Sequence, residues 1–103
     1  MQIQWYPGHM AKARRMLEEN LKLIDVVVEL VDARAPLATR NPDFDALFSQ
    51  KSRVILLNKS DLASPAETKA WVDHYRAAGI GAMDFVATNS AKRKAAVALI
   101  ENA

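Results

Sequence analysis

Two short apolar runs constrain this chain more than any other feature: Val26-Val27-Val28-Glu29-Leu30-Val31 and Val54-Ile55-Leu56-Leu57. Each is nearly continuous rather than alternating, so each reads as a strand buried on both faces, the kind found in parallel sheets covered by helices. Helix signals surround them. From Met10, the residues Met10, Ala13, Leu17, Leu21 and Ile24 fall at spacings of three and four, directly after a Pro7-Gly8 turn. Asn41-Pro42 offers an N-cap followed by proline at the first helical position, with Asp43 and Asp45 in the first turn, and predicts a short helix to about Ser49. Ser64-Pro65-Ala66-Glu67 is a capping box, and Trp71, Val72, Tyr75 and Ala78 give the helix it opens a buried face, with Gly79 suited to its C-terminal cap. A third strand is predicted from about Ala82 to Ala87, less buried because it contains Asp84. Ala95, Ala96, Leu99 and Ile100 mark a last helix. Strands separated by helices at this rhythm imply right-handed crossovers, hence an α/β fold with a three-stranded parallel sheet flanked by helices.

The 103 residues suit one domain with a modest core, and a composition half hydrophobic and a quarter charged excludes a disordered chain. No apolar run approaches the roughly 20 residues that span a bilayer, and Met1 to Tyr6 carries no signal-peptide pattern, so the cytoplasm is the expected compartment. With no cysteine, disulfides, thiolate nucleophiles and Cys-based zinc sites are excluded. A net charge of +2 is too small to announce a nucleic-acid binder, although basic residues cluster at Lys12, Arg14 and Arg15 and again at Lys92, Arg93 and Lys94. Either cluster could equally be a solvated face.

Open α/β sheets bind ligands beyond the carboxyl ends of their strands. The second apolar run ends there in Asn58-Lys59-Ser60-Asp61, the pattern N-K-x-D. A carboxylate held at that point can accept hydrogen bonds from N1–H and the exocyclic amine of guanine, a donor pair that adenine does not offer. Asp61 is therefore the predicted base reader, Lys59 can lay its methylene stem on the base, and Asn58 can tie neighbouring loops. The competing reading is that Asn58 and Asp61 only end a strand and start a turn. A chance match of three fixed residues in a chain of this length is on the order of one in a hundred at average composition.

The third strand leads to Thr88-Asn89-Ser90-Ala91, a small turn whose backbone N–H groups could reach guanine O6 at Asn89 or Ser90, with Ala87 and Thr88 as substitutes if the register slips. Ser90 is also a natural N-cap. Lys92, Arg93 and Lys94 then stand in a first helical turn, where the macrodipole disfavours cations; an anionic partner such as RNA is one explanation and unselected surface the other. The only glycines are Gly8, Gly79 and Gly81, and none begins a G-x-x-x-x-G-K-[ST] loop, so no phosphate cradle and no metal ligands are recognisable.

Three ordered motifs, Trp5-Tyr6-Pro7-Gly8-His9-Met10, Asp32-Ala33-Arg34-Ala35-Pro36 and Asn58-Lys59-Ser60-Asp61, closely resemble the YlqF-type ribosome biogenesis GTPases over nearly the whole chain. In that family the guanine motifs precede the P-loop, a circular permutation of the Ras-like fold, and an RNA-binding domain follows. The resemblance implies that residues 1–103 form the guanine-binding half of such a G domain, and that the complete protein binds GTP and Mg²⁺ and acts as a GTPase in late maturation of the large ribosomal subunit, on its rRNA. It makes His9 a candidate for positioning the attacking water, where physics alone suggests capping or packing. Asp32 and Arg34 are implied to serve a conformational or structural role, against a plain strand-end ion pair. Trp5 and Tyr6 are read as anchoring the N-terminal segment to the sheet.

Two consequences follow from the missing phosphate loop. The chain alone is expected to bind GTP weakly or undetectably and not to hydrolyse it. The edge of Val26 to Val31, which the P-loop strand would cover, is expected to stand unpaired and to favour self-association. A rival expectation is a non-enzymatic ribosome- or RNA-binding module using the Lys12, Arg14, Arg15 face and the Lys92 to Lys94 run, whose binding would depend steeply on salt.

Overall fold

A computed structural model describes residues 21–36 and 48–103, and residues 3–7 as backbone. The predicted helices beginning near Met10 and at Asn41 lie outside the described residues. The sheet has four strands, β1 Ile3–Pro7, β2 Val26–Asp32, β3 Ser52–Asn58 and β4 Gly81–Asp84, in the order β1-β2-β3-β4. Every neighbouring pair is parallel. Helix α1 spans Pro65–Ala77 and α2 spans Ser90–Glu101, while Leu21–Leu23 and Ser60–Leu62 are 3-10 turns.

The α/β class and its parallel strands agree with the sequence. The count and one edge do not. β1 lies against β2 in register Ile3↔Val26 through Pro7↔Leu30, so the edge expected to stand open is covered by the chain's own N-terminal segment. Self-association through that edge is accordingly not supported, since its ladder groups already have partners. The anchoring expected of the Trp5 and Tyr6 side chains lies outside what is described, since residues 3–7 are given as backbone.

The continuous apolar strands are explained by a two-sided core. On one face Val26, Val28, Val54, Leu56, Met83 and Phe85 pack with Ala96 and Ile100 of α2. On the other, Val31, Ala33, Ile55, Leu57 and Ala82 pack with Val72 and Tyr75 of α1. Alternate residues of one strand thus serve opposite layers, and neither face can be polar. Glu29 is the exception in β2: it is 2 % exposed and sits 3.5 Å from Arg53 of β3. Pairing offsets the desolvation that burying either charge alone would cost.

Both ends of α1 follow the sequence. The Ser64 hydroxyl accepts a hydrogen bond from Glu67 N at 3.4 Å, with Pro65 opening the helix. Gly79 takes φ 84°, Gly79 N–H bonds Arg76 O and Ile80 N–H bonds Tyr75 O, each at 3.0 Å. That double closure needs a left-handed residue, which glycine adopts without a Cβ penalty, and it brings Ile80 back onto the Tyr75 cluster. β4 begins one residue earlier and ends three earlier than predicted. Phe85 N–H still reaches Leu57 O at 2.9 Å, but the Phe85 carbonyl is taken by Ser60, so the chain leaves the ladder there.

Candidate guanine-recognition site

The strand tips converge as the N-K-x-D pattern requires. Asp32 ends β2 directly opposite Asn58 at the end of β3, and the Asn58 carbonyl accepts from Ala33 N–H at 2.8 Å. This backbone bond extends the pairing of β2 and β3 by one residue beyond the strand ends. Lys59 adopts φ 60°, ψ 34°, the single non-glycine residue with positive φ among the described residues. A left-handed lysine is uncommon, and such conformations persist where the surroundings over-determine them. Here the clamps are visible: Asn58 O is held by Ala33, and Ser60 N–H (3.2 Å) and Ser60 Oγ (3.1 Å) both donate to Phe85 O.

This reversal throws Asp61 into a one-turn 3-10 segment at the sheet's lip. Its side chain is exposed, and among the described residues none pairs with it. Asp61 and Ser60 line a cavity of about 580 Å³ that continues along α1 through Thr68, Lys69, Val72, Asp73 and Arg76 and is closed by Asp84, Val86 and Lys92. A free carboxylate at the lip of a cavity, on a turn braced from both sides, is what pairing with two donors of a base edge demands.

At the tip of β2, Arg34 grips Asp32 with Nε at 3.0 Å, Nη2 at 2.7 Å and its own backbone N–H at 2.9 Å. These hydrogen bonds hold the Asp32 carboxyl down at about 2, below the ordinary 3.8. Lys59 Nζ stands 4.0 Å from Oδ2 of the same carboxylate. The D-A-R motif therefore forms a strand-end ion pair with Lys59 close by. Because the folded value is depressed, the pair stabilises the fold above the unfolded value and is lost as pH falls from about 4 towards 2. In acid unfolding followed by circular dichroism, Asp32→Asn should flatten the pH dependence across that window; superimposable profiles for the two proteins would show that the pair contributes nothing.

The turn after β4 differs in detail from expectation. Asn89, not Ser90, is the N-cap of α2: its Oδ1 accepts from Lys92 N–H at 3.0 Å, and Ser90 is the first helical residue. An Asn side chain is short enough to reach the third N–H of the helix, and it wins the cap because residue 89 keeps extended backbone. Asn89 N–H is likewise engaged, by Val86 O at 2.9 Å. Among the described residues, the N–H groups of Ser90 and Ala91 have no acceptor. Open donors at this turn thus lie at Ser90 and its successor rather than at Asn89.

The cations of α2 resolve differently from one another. Lys92 Nζ pairs with Asp84 Oδ2 at 2.6 Å, and Arg93 Nη1 donates to Ala87 O at 2.9 Å. Asp84 places an anion beside the positive end of the helix, which compensates the lysine that the macrodipole disfavours. Lys94 is exposed. His9, Lys12, Arg14 and Arg15 lie outside the described residues. Among the described residues no three acidic or histidine side chains converge in a group that could hold a metal ion. Nor is any described helix long and apolar enough to cross a membrane. What sequence reasoning missed is Asp84: an acid in a short, half-exposed strand gives no sign that a lysine eight residues on will fold back to it.

No protein-family model matches the chain. It is 57% identical over 83 residues to ribosome biogenesis GTPase A of Priestia megaterium, covering 81% of this chain and 29% of that protein. It is 47% identical to ribosome biogenesis GTPase A of Thermotoga maritima over 75% of this chain and 29% of that protein. A further relative, Short integuments 2, mitochondrial, of Arabidopsis thaliana, is 40% identical over 96% of this chain and 25% of its own length. In structure the chain is similar to GNP-bound YlqF from T. maritima, with a TM-score of 0.72 and 37% identity over 87% of this chain and 37% of that one. In sequence and in fold, therefore, the chain belongs to the YlqF-type ribosome biogenesis GTPases, and it spans less than a third of the length of the curated relatives it matches.

Proposed function

We propose that this chain is the guanine-recognising part of a GTP-binding ribosome biogenesis factor, with Asp61 as the residue that selects the base. The observation that carries the reading is the unpaired Asp61 carboxylate, exposed on a turn braced by Ser60 and Phe85 and opening on a cavity large enough for a purine. Asp61 accepts N1–H and the exocyclic amine of guanine. Lys59, held left-handed above Asp32, lays its stem on the base face, and the open N–H groups of Ser90 and Ala91 meet O6. Adenine would present an acceptor and no amine at the Asp61 edge, leaving the carboxylate unsatisfied.

The likeness to GNP-bound YlqF and to proteins named as ribosome biogenesis GTPases supports extending this reading to the complete protein. In that extension the guanine motifs precede a phosphate-binding loop supplied by a further part of the protein, as in a circularly permuted G domain. The complete protein hydrolyses GTP with Mg²⁺ held by residues outside those described, and it acts in the cytoplasm on the large ribosomal subunit and its rRNA late in assembly. His9 positions the attacking water in that reading, and Lys12, Arg14, Arg15 and Lys94 are the cations left for rRNA, Lys92 and Arg93 being bonded within the chain.

The base-reading step is testable on the chain alone, because it does not depend on the phosphates. Titrating the ¹⁵N-labelled chain with GMP should shift Lys59 to Asp61 and residues 85–91 with a dissociation constant of about 1 mM, the few-kcal/mol range expected of a base edge without its phosphates. AMP should leave them in place. Equal responses to the two nucleotides, or none to GMP, would overturn the guanine reading.

A further inference from the structure

The charges around the cavity balance in number but not in pairing. It is lined by three cations, Lys69, Arg76 and Lys92, and three carboxylates, Asp61, Asp73 and Asp84. Lys69 is bound to Asp73 at 3.0 Å, Arg76 Nε donates to the Ala82 carbonyl at 3.0 Å, and Lys92 is bound to Asp84 at 2.6 Å. Each cation is thus committed to an acceptor of its own, and Asp61 is the carboxylate without a cationic partner among the described residues.

Lys92 is the cation that matters for Asp61. Lys69 is tied to its own helix neighbour, and Arg76 is fastened to the β4 edge at the far end of α1. Lys92 stands in the first turn of α2, fixed there by the Asn89 cap on its backbone N–H, and it lines the same cavity as Asp61. An ammonium on a four-carbon stem is a mobile point charge that pairs with whatever carboxylate it reaches. Asp84, delivered by the last residue of β4 beside that helical turn, reaches it first.

We infer that Asp84 is a positioning residue for base recognition: by sequestering Lys92 it keeps the Asp61 carboxylate free for guanine. The inference rests on the guanine reading of Asp61 given above. Asp84 and Lys92 need not touch the base. With Asp84 neutralised, Lys92 turns to Asp61 and competes with the N1–H and amine donors of the base.

A four-member set of full-length chains tests this by GMP titration followed in ¹H-¹⁵N spectra, which also verify that each variant is folded. Asp84→Asn should weaken GMP binding by about three- to fivefold, the range of a half-exposed ion pair formed in competition. Lys92→Met, which removes the competitor itself, should bind GMP as the wild type does. The double variant Asp84→Asn/Lys92→Met should recover wild-type affinity. A merely structural latch between β4 and α2 would behave differently, since breaking it from either side would weaken binding alike and the double variant would stay weak; that result overturns the inference. So does an Asp84→Asn chain that binds GMP normally. A wild-type chain silent to GMP removes the guanine reading instead, and the inference with it.

Discussion

Asp61→Asn is expected to invert base preference, moving the ratio of guanine to xanthine binding by about two to three orders of magnitude, the worth of two hydrogen bonds to a charged acceptor. The carboxylate offers two acceptor oxygens to two donors on the guanine edge. Asparagine keeps one acceptor for N1–H but turns an N–H₂ donor towards the guanine amine, so one bond is lost and two donors face each other. Xanthine replaces that amine with a carbonyl, which the asparagine amide can satisfy. In titrations of the ¹⁵N-labelled variant, the GMP response should fall below detection and an XMP response should appear at positions 59–61. Recovery by XMP separates loss of the base reader from loss of the fold. An Asp61→Asn chain that still prefers GMP would show that residue 61 does not touch the base, and with it the proposed function would fall.

Leu56→Ala is expected to destabilise the fold by about 3 to 4 kcal/mol, the range of buried leucine truncations that leave a cavity. Leu56 is fully buried in β3, an inner strand of the sheet, and packs with Val28, Met83 and Ile100 between the sheet and α2. No neighbour can move in to fill the void without unpacking β4 or α2. A domain of this size should lose roughly 15 to 20 °C in Tm for such a change. Val97→Ala is the control: Val97 is 54% exposed on the outer face of α2, and its truncation should stay within about 0.5 kcal/mol. Urea unfolding at constant m-value measures both, and comparable losses at the two positions would show that the two-layer core does not carry the stability.

Much of this architecture was readable in one dimension because its determinants are local. Nearly continuous apolar runs announced β2 and β3, since residues alternating between two helix-covered faces leave few polar positions, Glu29 being the exception. Ser64 to Glu67 and Gly79 announced both ends of α1, since a cap involves residues within one turn and a left-handed closure singles out glycine. The N-K-x-D pattern announced the candidate site because its residues are four in a row following a buried strand. β1 escaped because Ile3-Gln4-Trp5-Tyr6-Pro7 is five residues long, carries no alternating or continuous apolar pattern, and ends in proline. It is a strand only because the exposed ladder of β2 gives its backbone groups partners. The choice between Asn89 and Ser90 as the cap escaped for a related reason: both residue types cap well, and the constraint is where the chain must leave β4 to bring Phe85 O onto Ser60.

Sequence alone determined the α/β class, the parallel direction of the inner strands, the position of the N-K-x-D motif at a strand's carboxyl end and membership of a GTPase family. These depend on periodicity, caps and contiguous motifs, which are properties of neighbours along the chain. Tertiary structure alone decided which edge of β2 is covered, that Lys59 is held left-handed between Asp32 and the Phe85 turn, and that Lys92 pairs with Asp84 while Asp61 has no partner among the described residues. Those are outcomes of competition between charges and carbonyls brought together by the sheet, and spacing along the chain does not rank the competitors.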